Sequence, residues 1–135
     1  MPLLLDTGPL YALADASDAW HHRVRDFLDT RDEILLVPVT VLPEVTCLLR
    51  SRLGEPVERR FVASLADHEL AIEPLHPSDL ERCRSLLEEY RDLGFVDASV
   101  IAMAERLRLP AIVTTDRRHF AQVRPLHRPA FELLP

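Results

Sequence analysis

The sequence contains no lysine and no asparagine, and its only glycines are Gly8, Gly54 and Gly94. Without lysine, no Schiff-base, P-loop or phosphate-sensing lysine chemistry is available. With so few glycines there is no GxGxxG or GxxxxGK[ST] loop to cradle a phosphate, and a turn-rich all-β fold is excluded. Cysteine occurs twice, at Cys47 and Cys83, inside apolar helical patterns and with no CxxC. Both read as buried free thiols of a reducing compartment, and a cytoplasmic location is expected. The six histidines form no HExxH or C2H2 spacing, so a zinc site of either type is excluded. Long hydrophobic runs are absent too. The longest uncharged stretch, Ile34 to Pro43, contains two prolines and cannot span a bilayer. The apolar start, MPLLLD, is broken by Asp6 and is too short for a signal peptide. No membrane partner is expected.

What remains is an ordinary globular composition: 135 residues, 47% apolar and 28% charged, read as one domain over 1–135. A chain of this length buries roughly two-thirds of its unfolded surface and needs no staples. The net charge of −6 is the wrong sign for a bulk-electrostatic nucleic-acid binder, so any contact with an anionic polymer must come from a local patch. From Arg106 to Arg128 there are six arginines and one acid, whereas Asp6 to Glu33 holds seven acids and three arginines. This asymmetry reads either as such a patch or as two oppositely charged solvated faces.

Short apolar runs at Leu3–Leu5, Ile34–Val37, Leu70–Ile72 and Ala111–Thr114 read as buried strands, with a weaker fifth at Val123–Leu126. Helical periodicity fills the intervals. Asp18 is expected to cap a helix carrying Trp20, Val24, Phe27 and Leu28. Thr40 is expected to cap one carrying Val41, Val45, Leu48, Leu49 and Leu53, ended by Gly54. Pro56 opens the next, with Val57, Phe61 and Leu65; Ser78 and Glu81 suggest a capping box, and a last long helix runs from about Asp97 to Arg108. Strands without polar alternation, separated by helices, predict an α/β fold: a parallel sheet of four or five strands sandwiched by helices. Ligands of such sheets bind outside the carboxyl ends of the strands.

Asp6 and Asp116 stand at such ends, and each also suits a helix N-cap. Asp97 falls on the apolar face of its helix with Val100, Ile101 and Ala104, or at its start as a cap. Glu44 sits at the rim of the apolar face of the most apolar helix start in the chain, where an uncompensated charge costs more than the helix dipole returns. Four such carboxylates brought together repel, and one or more would retain a proton. A divalent cation removes that conflict, and an all-oxygen donor set selects Mg2+ or Mn2+. Carboxylate-held hard metals commonly activate water against a phosphodiester.

Leu5-Asp6-Thr7, the helical Glu44, Val96-Asp97-Ala98 and Thr114-Thr115-Asp116-Arg117-Arg118-His119-Phe120 resemble the motifs of the PIN-domain ribonucleases, in order and spacing similar to the VapC toxins of bacterial toxin–antitoxin pairs. The resemblance covers essentially the whole chain. It implies a PIN-like fold in which Asp6, Glu44, Asp97 and Asp116 are the catalytic, metal-binding quartet. It further implies Mg2+- or Mn2+-dependent cleavage of RNA, a homodimer with its acidic pockets beside an arginine-lined groove, and a cognate VapB-like antitoxin. Arg117 and Arg118 are placed either to hold substrate phosphates or as solvated helix residues. Some family members carry a further acid just after the position of Asp116, where this chain has Arg117, Arg118 and His119. Asp92 is placed either to assist through a water or as a solvated loop acid, the reading preferred, and His21, His22 and His119 either as proton donors or as ordinary exposed helix and loop histidines, again the reading preferred.

Competing readings fail on particular residues. Asp6-Thr7-Gly8 matches the aspartic-protease triplet, but helical sequence follows it and no second apolar-glycine motif exists. A response-regulator receiver needs a lysine after its last strand. A non-catalytic interaction module on the same fold is the alternative that remains, and the presence of all four acids weighs against it.

Overall fold

A computed structural model describes residues 1–135. In chain order its elements are β1 (Leu3–Leu4), α1 (Thr7–Ala14), α2 (His21–Asp29), β2 (Leu35–Pro38), α3 (Leu42–Leu53), α4 (Glu55–Ala66), β3 (Ala71–Glu73), α5 (Pro77–Glu89), α6 (Phe95–Arg106), β4 (Ala111–Val113), α7 (Arg117–Ala121) and β5 (Glu132–Leu134). A 3-10 turn, Val39–Val41, leads into α3.

All strand pairings are parallel. β1, β2 and β3 form one ladder in that order, with Leu3 opposite Leu35 and Leu36 opposite Ala71. β4 and β5 form a second, with Ala111 opposite Glu132. A parallel bridge between Leu5 and Val113 joins them, giving the spatial order β3-β2-β1-β4-β5. Asp6 N–H donates to Val113 O at 3.0 Å, continuing that seam. The chain leaves β1 toward one side of the sheet and returns in β4 on the other, so the order reverses between β1 and β4. This is the position at which open α/β sheets form a ligand crevice at their carboxyl edge.

The core explains why α6 is central. Ala98 to Glu105 is buried without interruption, and a helix apolar all round belongs inside a fold. It packs with Leu4, Leu5, Val37, Ile112 and Val113 of the sheet in one cluster. The one hydroxyl in its buried stretch, Ser99, donates to Val96 O at 2.6 Å and pairs with Thr40 Oγ1 at 2.6 Å. At its far end Arg106 reaches Asp79 Oδ1 at 3.0 Å and Glu73 at 2.9 Å, and Arg82 holds Glu105 at 2.7 Å. These buried pairs tie α5 and β3 to the end of α6 that faces away from the crevice.

Several expectations are corrected. The fifth strand is Glu132–Leu134, not Val123–Leu126. Pro125 has no N–H to give a ladder, and Val123 instead turns back to Phe120 O with its side chain buried. Helix α5 starts two residues earlier than a Ser78 cap allows, because Pro77 suits the first helical position. Asp79, not Glu81, then reaches back to His76 N–H at 2.9 Å. Asp18 closes a turn onto Trp20 N–H at 2.8 Å before α2 begins, and Thr40 pairs with Ser99 instead of capping α3. Cys83 is buried as expected, but Cys47 is exposed, since α3 turns Val45 and Leu49 inward. No helix is long and apolar enough to cross a membrane.

Candidate metal centre

The carboxyl ends of three adjacent strands and the start of the central helix deliver the four predicted acids to one edge. Asp6 follows β1 directly and stands at the N-cap of α1. Asp116 follows β4 and caps α7, accepting from His119 N–H at 3.4 Å. Glu44 lies in the first turn of α3, which follows β2 through the 3-10 turn. Asp97 lies in the first turn of α6, past the Gly94 cap, so capping does not account for its position.

Asp6 is the buried member of the group, 5% exposed. Its Oδ2 accepts from Thr114 Oγ1 at 3.0 Å, and the same Thr114 oxygen accepts from Asp116 N–H at 2.9 Å. Thr114 therefore couples the ends of β1 and β4 through one hydroxyl. Burial pushes the Asp6 carboxyl up to about 6; the Thr7 N–H and Thr114 hydroxyl oppose the rise, and the charges of Asp97 and Glu44 add to it. Asp97 is likewise raised to about 6, by burial first and then by Asp116 and Glu44, with His119 acting in the opposite sense. Two acids at the same edge thus resist ionisation, and in each case neighbouring carboxylates are part of the cause.

His119 belongs to this group, which the sequence alone does not reveal. Its Nδ1 lies 2.6 Å from Asp116 Oδ2 and 4.0 Å from Asp97 Oδ2. The pairing with Asp116 raises the imidazole above its ordinary value. One donor atom from each of Asp97, Asp116 and His119 can be taken within 4.8 Å of the others. The legible signal is the spacing: a residue three after an N-cap aspartate faces that aspartate in the first turn. Asp6 and Glu44 stand outside that tight trio but act on it electrostatically, and Glu44 is exposed at its solvent side.

The other candidates divide. Arg118 lies near enough to His119 to oppose its protonation. Arg117 turns the other way, donating to Pro135 O and stacking 5.9 Å over Trp20. Asp92 and His22 are exposed. His21 is buried, not exposed, and its Nδ1 pairs with Ala12 O at 2.7 Å, a packing role. Two further details lie next to Asp6. Thr7 Oγ1 is buried beside Asp6 with no hydrogen-bond partner. A Cβ on Gly8 would fall 2.0 Å from Thr115 Oγ1, so the close approach of α1 to the end of β4 needs glycine.

These donors fit a hard divalent cation. Carboxylate oxygens gather at this edge beside one imidazole, and two of the carboxyls resist ionisation because of burial first and neighbouring acids second. The strand order, the crevice and the acidic edge define a PIN domain, and the PIN family model matches residues 3–125. The chain belongs to that family. It is 29% identical to Ribonuclease VapC26 of Mycobacterium tuberculosis over 98% of this chain and 100% of that protein. Among solved structures it superposes on Mycobacterium tuberculosis VapC20, a sarcin–ricin loop cleaving toxin, with TM-score 0.76 at 21% identity, covering 84% of this chain and 91% of that one. A toxin–antitoxin complex from Klebsiella pneumoniae matches with TM-score 0.72 at 22% identity, over 96% and 99% of the two chains. VapBC2 of Rickettsia felis, bound to a promoter DNA fragment, matches with TM-score 0.73 at 14% identity over 100% of both.

Proposed function

We propose that the chain is an endoribonuclease dependent on Mg2+ or Mn2+, acting as the toxin of a VapBC-type toxin–antitoxin pair and hydrolysing an RNA phosphodiester. The observation that carries the reading is the pair of raised acids, Asp6 and Asp97, set with Glu44 and Asp116 at the crevice between β1 and β4. Purely structural acids settle where ionisation is easy; these are placed where a cation would relieve them. When bound, the cation supplies Lewis acidity and charge neutralisation for phosphodiester hydrolysis.

Asp6, Asp97 and Asp116 are the residues that hold it. The Thr114 hydroxyl donates to the Asp6 carboxylate and accepts from Asp116 N–H, and His119 holds the Asp116 carboxylate, so both carboxylates are oriented before any ligand arrives. Glu44, exposed at the edge of the group, is placed to orient the attacking water or take its proton, or to hold a second ion. Arg118 is the arginine of the pair that stays beside the site and is assigned to a substrate phosphate. No side-chain nucleophile is required.

The partners follow from the relatives together with one surface feature. The Klebsiella and Rickettsia structures are toxin–antitoxin assemblies. This chain carries an open, largely apolar groove of about 540 Å3 between α1, β2 and α4, lined among others by Leu10, Leu13, Val57, Phe61 and Leu70. Such a groove suits an apolar helical segment of a partner. A VapB-like antitoxin is assigned to it, and the active species is a homodimer in the cytoplasm.

The test is cleavage of a panel of cellular RNAs, mapped at the new ends, by wild type and by Asp97→Asn. The reading expects discrete cleavage with Mg2+ or Mn2+ that the variant loses. Equal cleavage by the variant would refute it.

A further inference from the structure

An oxygen-only quartet does not describe the donors at this crevice, because His119 is closer to Asp116 than any of the other acids is shown to be. Around one ion with bonds of about 2.1 Å, cis donors stand about 3.0 Å apart and trans donors about 4.2 Å. One donor atom from each of Asp97, Asp116 and His119 can be taken within 4.8 Å of the others, a separation one ion can span; without an ion, the 2.6 Å contact of His119 Nδ1 with Asp116 Oδ2 is a hydrogen bond, which metal ligation would replace. The imidazole is held on the crevice side by the short helix that Asp116 caps, and its side chain is 35% exposed, so it can turn without repacking the core. We infer that His119 contributes a nitrogen ligand to the cation site, making it a mixed nitrogen–oxygen centre that selects Mn2+ over Mg2+. This rests on the metal-nuclease reading and refines it.

The selectivity follows from donor chemistry. Mg2+ is hard, keeps its waters and gains little from imidazole. Mn2+ and the later transition ions accept imidazole readily, and affinity for a nitrogen-bearing site climbs along the first row. A centre of Asp97, Asp116 and His119, with Asp6 and Glu44 adding charge, therefore discriminates among divalent ions by its one nitrogen. It also predicts that Co2+ and Zn2+ bind more tightly than either Mg2+ or Mn2+.

The test uses the full chain freed of metal, with two readouts independent of activity. Pulsed electron paramagnetic resonance of the Mn2+-loaded protein reads nitrogen directly. Calorimetric titration with Mn2+ and Mg2+ compares wild type with His119→Gln, which replaces the nitrogen by an amide oxygen of similar reach. The inference expects nitrogen modulation in wild type and its loss in the variant. It also expects Mn2+ affinity to fall about tenfold or more, while Mg2+ affinity stays within about threefold. Bound Mn2+ without nitrogen modulation would overturn the inference and leave the nuclease reading standing. Equal loss of both ions in the variant would also overturn it, since His119 would then act only by holding Asp116. Failure of wild type to bind either ion would remove the nuclease reading itself.

Discussion

Replacing Asp97 by Asn is expected to abolish RNA cleavage and, without metal, to make the protein more stable. Asp97 makes no hydrogen bond within the fold, and its nearest cationic partner, His119, is 4.0 Å away. Its carboxyl is raised from 3.8 to about 6 by burial and by Asp116 and Glu44. At about 1.4 kcal/mol per pKa unit, ionising it at pH 7 opposes folding by up to about 3 kcal/mol. Solvent still reaches 23% of the side chain, and screening reduces this to about 1–2 kcal/mol. A helix-dipole contribution of about 0.3–1 kcal/mol, which the carboxylate gives at the start of α6, is lost with it. The net gain is about 1 kcal/mol, or roughly 3–5 °C in Tm for a domain of this size. The gain should shrink by about half at pH 5 and vanish below about pH 3, where Asp97 is neutral in the folded and unfolded chain alike. Differential scanning calorimetry in EDTA across pH 2.5–7.5 reads all of this. Mg2+ should raise the Tm of wild type and leave that of the variant unchanged. A lower Tm for the variant in EDTA at pH 7 would refute the reasoning, because Asp97 would then be a stabilising helix-start acid and nothing more.

Four other outcomes are expected. In EDTA, wild-type stability should fall as pH rises from about 4 to about 6. Asp6 and Asp97 bind protons more tightly in the folded state, and His119, also raised, extends the fall through and above its ordinary 6.5; urea midpoints that rise over this range would contradict the assignment. Arg106→Ala strips the cation from Asp79, 2% exposed, and should cost about 3–5 kcal/mol in urea unfolding. Gly8→Ala should destabilise by about 1–3 kcal/mol and impair cleavage, with Thr115→Ala in the same chain restoring both. Val57→Asp in the apolar groove should leave cleavage intact while preventing neutralisation by the cognate antitoxin, read in a cleavage assay with and without that protein.

The features legible in the sequence are those fixed by local chemistry. Unbroken apolar runs followed by an acid locate β1 and β4, and helical periodicity locates the long helix near Asp97, though its burial on every side comes from the packing around it. Pattern alone puts Asp6 and Asp116 at strand ends and Asp97 and Glu44 on helix faces; the grouping of all four is what the family resemblance implies. What escaped depends on contacts between distant residues. The strand β5 is three residues in a segment bounded by Pro129 and Pro135, and only pairing with β4 makes it a strand. The join of the two ladders rests on one bridge, Leu5 with Val113, which no local pattern encodes. His119 looked like any surface histidine until α7 turned it onto Asp116. Arg117 and Arg118 are adjacent and chemically identical, yet Trp20 and the chain end draw one away from the site. Thr40, read as a cap, is claimed by Ser99, a partner 59 residues distant.

The central claim is that these acids act through a bound divalent cation on RNA. The most direct measurement is the rate of cleavage of one mapped RNA by the purified protein, stripped with EDTA and then titrated with Mn2+ or Mg2+. The account predicts no cleavage after stripping, recovery that saturates with added ion, and no recovery at any ion concentration for Asp97→Asn. Cleavage that persists undiminished in EDTA, or that the variant recovers with wild-type amplitude, would contradict it.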